Sequence, residues 1–166
     1  MSADVTILER ELRALMPDLL GYFVRRLTDS EDAADALSET LVVLWRKQRS
    51  LPAGEDLRRY AFGVARKVLQ TAQRGRLRRR EISDALHLEL VDAVVTPPDD
   101  VDLQRALAAI PAQDRELVLL VAWEGFGVAE AGAVLGLRAD AARARYSRAR
   151  ARLRALLVSD DVEVLG

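Results

Sequence analysis

The sequence predicts an all-α protein folded as two small helical domains, and three observations carry that prediction. Apolar residues recur at helical spacing, with almost no alternation of the kind strands require. Glycines are few and fall mainly at segment edges, among them Gly54, Gly75, Gly125 and Gly136. Consecutive prolines in Thr96-Pro97-Pro98-Asp99-Asp100 cannot continue a helix, because proline lacks the amide donor and fixes φ. That break leaves residues 1–80 as one domain, 81–102 as an acidic linker, 103–158 as a second domain and 159–166 as a disordered tail.

Composition narrows the function classes. At 166 residues, 50% hydrophobic and 31% charged, the chain reads as an ordinary folded protein. Its longest apolar run is Leu117–Trp123, seven residues, against roughly 20 needed to span a bilayer. The opening MSADVTILERELRAL alternates charge with apolar groups and lacks a signal-peptide core, so a cytoplasmic protein without membrane insertion is expected. Zero cysteines and one histidine exclude disulfides, thiolate metal sites and chemistry built on Cys or paired His. No nucleophile–base pair or phosphate-cradling loop is present, and His87 reads as a linker residue. No catalytic residue, metal or cofactor is therefore expected.

The net charge of −1 conceals a segregation of signs. Residues 1–80 carry 16 basic against 11 acidic side chains, 81–102 none against 7, 103–158 nine against 5, and 159–166 none against 3. Leu57–Arg80 holds nine basic residues and no acid, and Ala141–Val158 holds six arginines and no acid. Two cationic blocks thus flank an anionic bridge, the pattern of a chain that grips nucleic acid.

Taken in order, the elements place these charges. Asp29, Glu31 and Asp32 precede the apolar run Leu41–Trp45, and acids there suit the positive end of a helix dipole. Asp32, Asp35 and Glu39 share one face at spacings of three and four, an acidic patch fit to dock a basic or polar partner, or simply a solvated cap. After a loop at 48–56, a helix is predicted from Leu57 to Arg74. Tyr60, Val64, Val68 and Ala72 recur every four residues as its core face, opposite Arg59 and Arg66. Phe62 lies on the flank, where it either stacks on an unpaired base or joins Tyr60 in the core.

In the C-terminal half, Ile110-Pro111 separates two helices, because proline suits a helix start. LVLLVAW reads as a buried helix ended by Glu124-Gly125-Phe126-Gly127. Val128–Leu135 is a short helix, Gly136-Leu137-Arg138 a tight turn, and Asp140 a cap for the helix that follows. Together they predict a helix-turn-helix. On its last helix Ala142, Tyr146, Ala149, Leu153 and Leu156 fall on one line at 100° per residue, leaving Arg143, Arg148, Arg150, Arg152 and Arg154 outward and Arg145 at the border.

These residues also resemble a known family. Ala33-Ala34-Asp35-Ala36-Leu37-Ser38-Glu39-Thr40 with Trp45-Arg46, then Tyr60-Ala61 before Val64-Ala65-Arg66-Lys67, then Ile110-Pro111, Glu124-Gly125-Phe126, Leu135-Gly136-Leu137 and Arg143-Ala144-Arg145 with Arg148-Ala149-Arg150 are similar to motifs of the extracytoplasmic-function sigma factors. Members of that family join a region 2 and a region 4 by a linker, and the resemblance covers roughly residues 10–157 in the same order. It departs at Lys67, where the family has Asn, and at Asp140-Ala141-Ala142, where it has Gly-Thr-Val. The resemblance implies a subunit that binds core RNA polymerase, through its largest and second-largest subunits, and directs promoter-specific initiation without chemistry of its own. Asp32, Asp35 and Glu39 would meet the polymerase, and Arg59, Tyr60, Phe62, Arg66, Lys67 and Arg74 would hold the melted strand. Asp140, Arg143, Arg145 and Arg148 would meet the upstream duplex. The acidic linker would run through the polymerase RNA channel, and an anti-sigma protein is a further implied partner. The competing reading is a stand-alone helix-turn-helix regulator, which leaves the acidic patch and the first basic helix without a task.

Overall fold

The computed structural model describes residues 2–84 and 100–163. The chain divides into two compact units, Met1–Thr96 and Pro97–Gly166, and among the described residues every regular element is a helix. His87 and most of the acidic linker lie outside the described residues, as do the last three residues of the tail. No helix of the described residues is long and apolar enough to cross a membrane.

In the first unit, α1 (Ser2–Val24), α2 (Ser30–Arg46) and α3 (Glu55–Asp84) pack on one another, with a short 3-10 turn at Gln48–Ser50. Asp29 starts α2 from an extended backbone, its carboxylate accepting from the Glu31 amide at 2.8 Å, and Glu31 and Asp32 occupy the first turn. Leu19, Tyr22 and Phe23 of α1 meet Ala33, Ala36 and Leu44 of α2 and Leu57, Ala61, Phe62, Ala65, Val68 and Leu69 of α3 in the core. Thr40 is buried there as well, its hydroxyl donating to the Ala36 carbonyl at 2.8 Å.

Two expectations for α3 need correction. Its core face is Leu57, Ala61, Phe62, Ala65, Val68 and Leu69, rotated from the expected row of Tyr60, Val64, Val68 and Ala72, because α3 meets both α1 and α2 and needs a broad apolar arc. The helix also continues ten residues beyond Arg74. Gly75 sits inside it with helical geometry, and the good helix formers that follow carry the chain on to Asp84. Arg76 Nη2 donates to Thr28 Oγ1 at 2.5 Å, tying that turn back to the α1–α2 loop.

The second unit holds α4 (Val101–Ala108), α5 (Ala112–Ala122), α6 (Val128–Val134) and α7 (Ala139–Glu163). Asp100 caps α4 by accepting from the amides of Asp102 and Leu103, both at 3.1 Å. Pro111 precedes α5, and Arg115 closes the corner by donating to the carbonyls of Leu107 at 2.9 Å and Ile110 at 3.3 Å. Ala106, Leu107, Ile110, Leu119 and Leu153 form the core against which Trp123 and Leu156 pack. α6, a turn and α7 make the helix-turn-helix. Gly136 takes φ +73° in that turn, a left-handed conformation costly for other residues. A Cβ at Gly132 would stand 2.4 Å from the Cβ of Ala142, so glycine there lets α6 and α7 approach. Asp140 is not the cap of α7: the helix begins at Ala139, and the Asp140 carboxylate accepts from Ala141 N within the first turn. α7 also continues through Glu163, into the segment expected to be a disordered tail, because no glycine or proline interrupts 139–163.

Candidate nucleic-acid interface

The acidic face of α2 stands as its spacing requires. Ala33, Ala36, Leu37 and Thr40 take the inner side, which turns Asp35 and Glu39 outward, while Asp32 is half-buried. Neither Asp35 nor Glu39 is in an ion pair with a described residue. Val42 (46% exposed) continues the same face about one turn on, and Trp45 (42% exposed) lies on its flank a turn further. An unneutralised acidic row beside exposed apolar groups is a surface suited to a partner protein carrying cations.

On α3, Tyr60, Lys67 and Arg74 recur at steps of seven and so share a face, with Arg59 and Arg66 on the neighbouring one. Tyr60 is half-buried, Lys67 and Arg74 are exposed, and Arg66 is half-buried. Arg59 is ion-paired with Asp56 one turn earlier, which neutralises part of its charge. A groove of about 320 Å³ runs between α2 and α3, lined by Glu39, Val43, Lys47, Tyr60, Lys67 and Thr71. Lys47 Nζ donates to Tyr60 Oη at 3.3 Å and lies 6.0 Å from the ring centroid. Lys47 had no signal in the sequence, since its place beside Tyr60 is set by the packing of α2 on α3 across a loop.

Phe62 does not join this surface. It is fully buried, its ring edge-on to Tyr22 with centroids 5.5 Å apart, so it cannot stack on a base. The aromatic flank that meets α1 is Phe62, and the one left at the surface is Tyr60.

On α7, Ala142, Ala149 and Leu153 are buried and Tyr146 and Leu156 half-buried, as the projection requires. Arg143, Arg148, Arg150, Arg152 and Arg154 are exposed, and Arg150 lies 5.8 Å from the Tyr146 ring centroid. Between the arginines the outward surface is Ala144, Ser147 and Ala151, small enough for the backbone to approach a groove floor. Asp140, also exposed, stands 3.7 Å from the Arg138 guanidinium. Arg145 is drawn aside: its Nη1 donates to Gln113 Oε1 and lies 3.5 Å from Asp114 Oδ1, both on the first turn of α5. Gln113 and Asp114 carry no such signal in the sequence, although the border position of Arg145 hints at a neighbour.

Comparison with known proteins agrees with this arrangement. Residues 100–153, which span α4 to α6 and the first part of α7, match the family model described as Sigma-70, region 4. Over 155 residues the chain is 32% identical to the ECF RNA polymerase sigma factor SigF of Caulobacter vibrioides, covering 90% of this chain and 84% of that one. It is 26% identical over 162 residues to the ECF RNA polymerase sigma factor EcfG of Rhodopseudomonas palustris, covering 96% and 90%. Among solved structures, the sigma factor RpoE of Bartonella quintana, crystallised with the anti-sigma factor NepR, matches with a TM-score of 0.68 and 30% identity, over 92% of this chain and 98% of that one. Two helical units, an arginine-faced helix-turn-helix in the second of them and this degree of identity along nearly the full length place the chain among the ECF RNA polymerase sigma factors.

Proposed function

We propose that the chain binds core RNA polymerase and directs it to specific promoters, supplying recognition and strand capture while the polymerase supplies the chemistry. The observation that carries this reading is the union, in one chain, of an unpaired acidic face on α2 with an arginine-faced recognition helix, α7. A stand-alone regulator needs only the second of these.

Asp35 and Glu39, with Asp32 beside them, engage cationic groups of the polymerase; the exposure of Asp35 and Glu39, with no ion-pair partner among the described residues, supports this role. Tyr60, Lys47 and Lys67 receive the melted strand along the α2–α3 groove, where an aromatic edge and two ammonium groups suit an unstacked base and its phosphates. Arg66, Arg74 and, through the part of its charge left free by Asp56, Arg59 add phosphate contacts along α3. In the upstream duplex, α7 enters the major groove with Arg143 and Arg148 against phosphates and Asp140 at its leading end. The acidic linker acts between the two units, and the chain works in the cytoplasm with the polymerase. An anti-sigma protein regulates it, a role supported by the NepR complex of the Bartonella quintana relative. The chain itself contributes no catalytic group.

The test is reconstitution. Adding the purified chain to sigma-free core polymerase on genomic DNA fragments is expected to give discrete run-off transcripts from a small set of start sites. A chain that binds duplex DNA but neither associates with core nor yields transcripts would be a stand-alone regulator.

A further inference from the structure

The family resemblance places Arg145 among the DNA contacts, yet its surroundings give it a different task. We infer that Arg145 is a positioning residue that locks the recognition helix to α5, and that with Gln113 and Asp114 it sets promoter selectivity without touching DNA. The inference rests on the sigma-factor reading of the chain and concerns how its second unit presents α7.

Three observations carry it. First, Arg145 Nη1 is already engaged, donating to Gln113 Oε1 and facing Asp114 Oδ1 at 3.5 Å, whereas Arg143 and Arg148, two and three residues away, are exposed. Second, Asp114 Oδ1 is shut off from solvent and accepts no hydrogen bond among the described residues, so Arg145 is the cation that compensates it. Moving Arg145 to a phosphate would strand a desolvated carboxylate oxygen, and that loss opposes the gain at the phosphate. Third, the partners sit on a different element. Gln113 and Asp114 belong to the first turn of α5, whose Leu119 packs in the core with Leu153 of α7. Leu153 holds α7 at two turns beyond Arg145, and the bonds of Arg145 hold it near its start. Two attachments along one helix fix its tilt, and the tilt decides which base edges its outward residues reach.

A phosphate-binding arginine and a positioning arginine leave different marks. Removing a cation that neutralises one phosphate lowers the slope of log K against log salt by about 0.9. A loosened recognition helix keeps its phosphate charges but spreads over registers, which lowers the preference for promoter over random sequence. The measurement uses the full chain, with the promoter duplex recovered in the reconstitution and a scrambled duplex of equal length, each titrated over a range of salt. Arg145→Gln is expected to keep the wild-type slope and to lose selectivity about five- to twentyfold, and Arg145→Lys to restore part of it. Asp114→Asn, which removes a negative charge and adds none, is expected to lose selectivity likewise, although simple electrostatics predicts tighter binding to both duplexes. The double variant is expected to be no worse than either single one. Arg143→Gln serves as the opposite case, with the slope reduced by about 0.9 and selectivity nearly unchanged. The inference is overturned if Arg145→Gln lowers the slope by that amount with selectivity intact, or if the two substitutions add. Should Arg145→Gln unfold the second unit, Asp114→Asn alone decides, and unchanged selectivity in it counts against the inference. A wild-type chain that prefers no duplex even with core polymerase would instead refute the sigma-factor reading.

Discussion

Single residues decide which aromatic meets the core and how closely two helices approach. Tyr60 and Phe62 flank Ala61 on opposite sides of α3, and helical periodicity alone assigns either to the interior. The choice is made by Tyr22 and Phe23, some forty positions earlier, whose rings pack edge-on with each other while Tyr22 takes Phe62 edge-on in turn. That packing is invisible to the periodicity of one helix. Phe62→Ala is accordingly expected to destabilise the first unit by about 3–5 kcal/mol through the cavity it leaves, measured by urea denaturation, while Phe62→Leu retains most stability and strand capture. A base-stacking role predicts the reverse, near-normal stability with strand capture abolished in both. Gly132 is the second such position. Its Cβ would fall 2.4 Å from that of Ala142, so Gly132→Ala is expected to cost about 1–3 kcal/mol by overpacking and to lower the melting temperature. Ala142→Gly introduced with it is expected to recover part of the loss, because the clash is between those two carbons.

At the scale of the element, the arginine-faced α7 was legible because its stripe of Ala142, Ala149 and Leu153 keeps one phase for three turns while every arginine falls outside it. α3 was only half legible. Gly75 beside a run of arginines looks like a helix end, yet the cost of glycine inside a helix is only about 1 kcal/mol. Leucine, arginine and glutamate in the next turns, together with the Arg76–Thr28 bond, outweigh it. A Cβ at Gly75 would meet nothing within 4 Å. Gly75→Ala is therefore expected to stabilise the end of α3 by about 0.5–1 kcal/mol, seen as slower amide exchange over residues 76–84. Gly75→Pro removes a helical donor and clashes with the preceding turn. It is expected to unravel that segment while leaving the buried face from Leu57 to Leu69 intact, and unchanged exchange in both variants would mean that the segment draws its order from elsewhere.

Across the whole molecule, what the sequence displayed most plainly was the sorting of charge, and the proposed function gives that sorting a separate use in each unit. Asp35 and Glu39 face solvent four residues apart on α2, where like charges repel by a few tenths of a kcal/mol. Their exposure on one face fits the proposed docking to core polymerase. Replacing both with Asn and Gln is expected to leave unfolding unchanged or slightly harder, and to weaken association with core polymerase at least tenfold, about 1.4 kcal/mol. Binding of the same variant to promoter duplex in the absence of core should keep the wild-type salt slope, because α7 is untouched. Arg143→Gln with Arg148→Gln is expected to do the opposite. The slope falls by about 1.8, as two phosphates left without their cations require, while core association measured by gel filtration or anisotropy stays as in the wild type. If the acidic substitutions weakened duplex binding, or the arginine substitutions weakened core binding, the two surfaces would be working as one. The division of labour between α2 and α7 would then have to be abandoned, even with every helix where it stands.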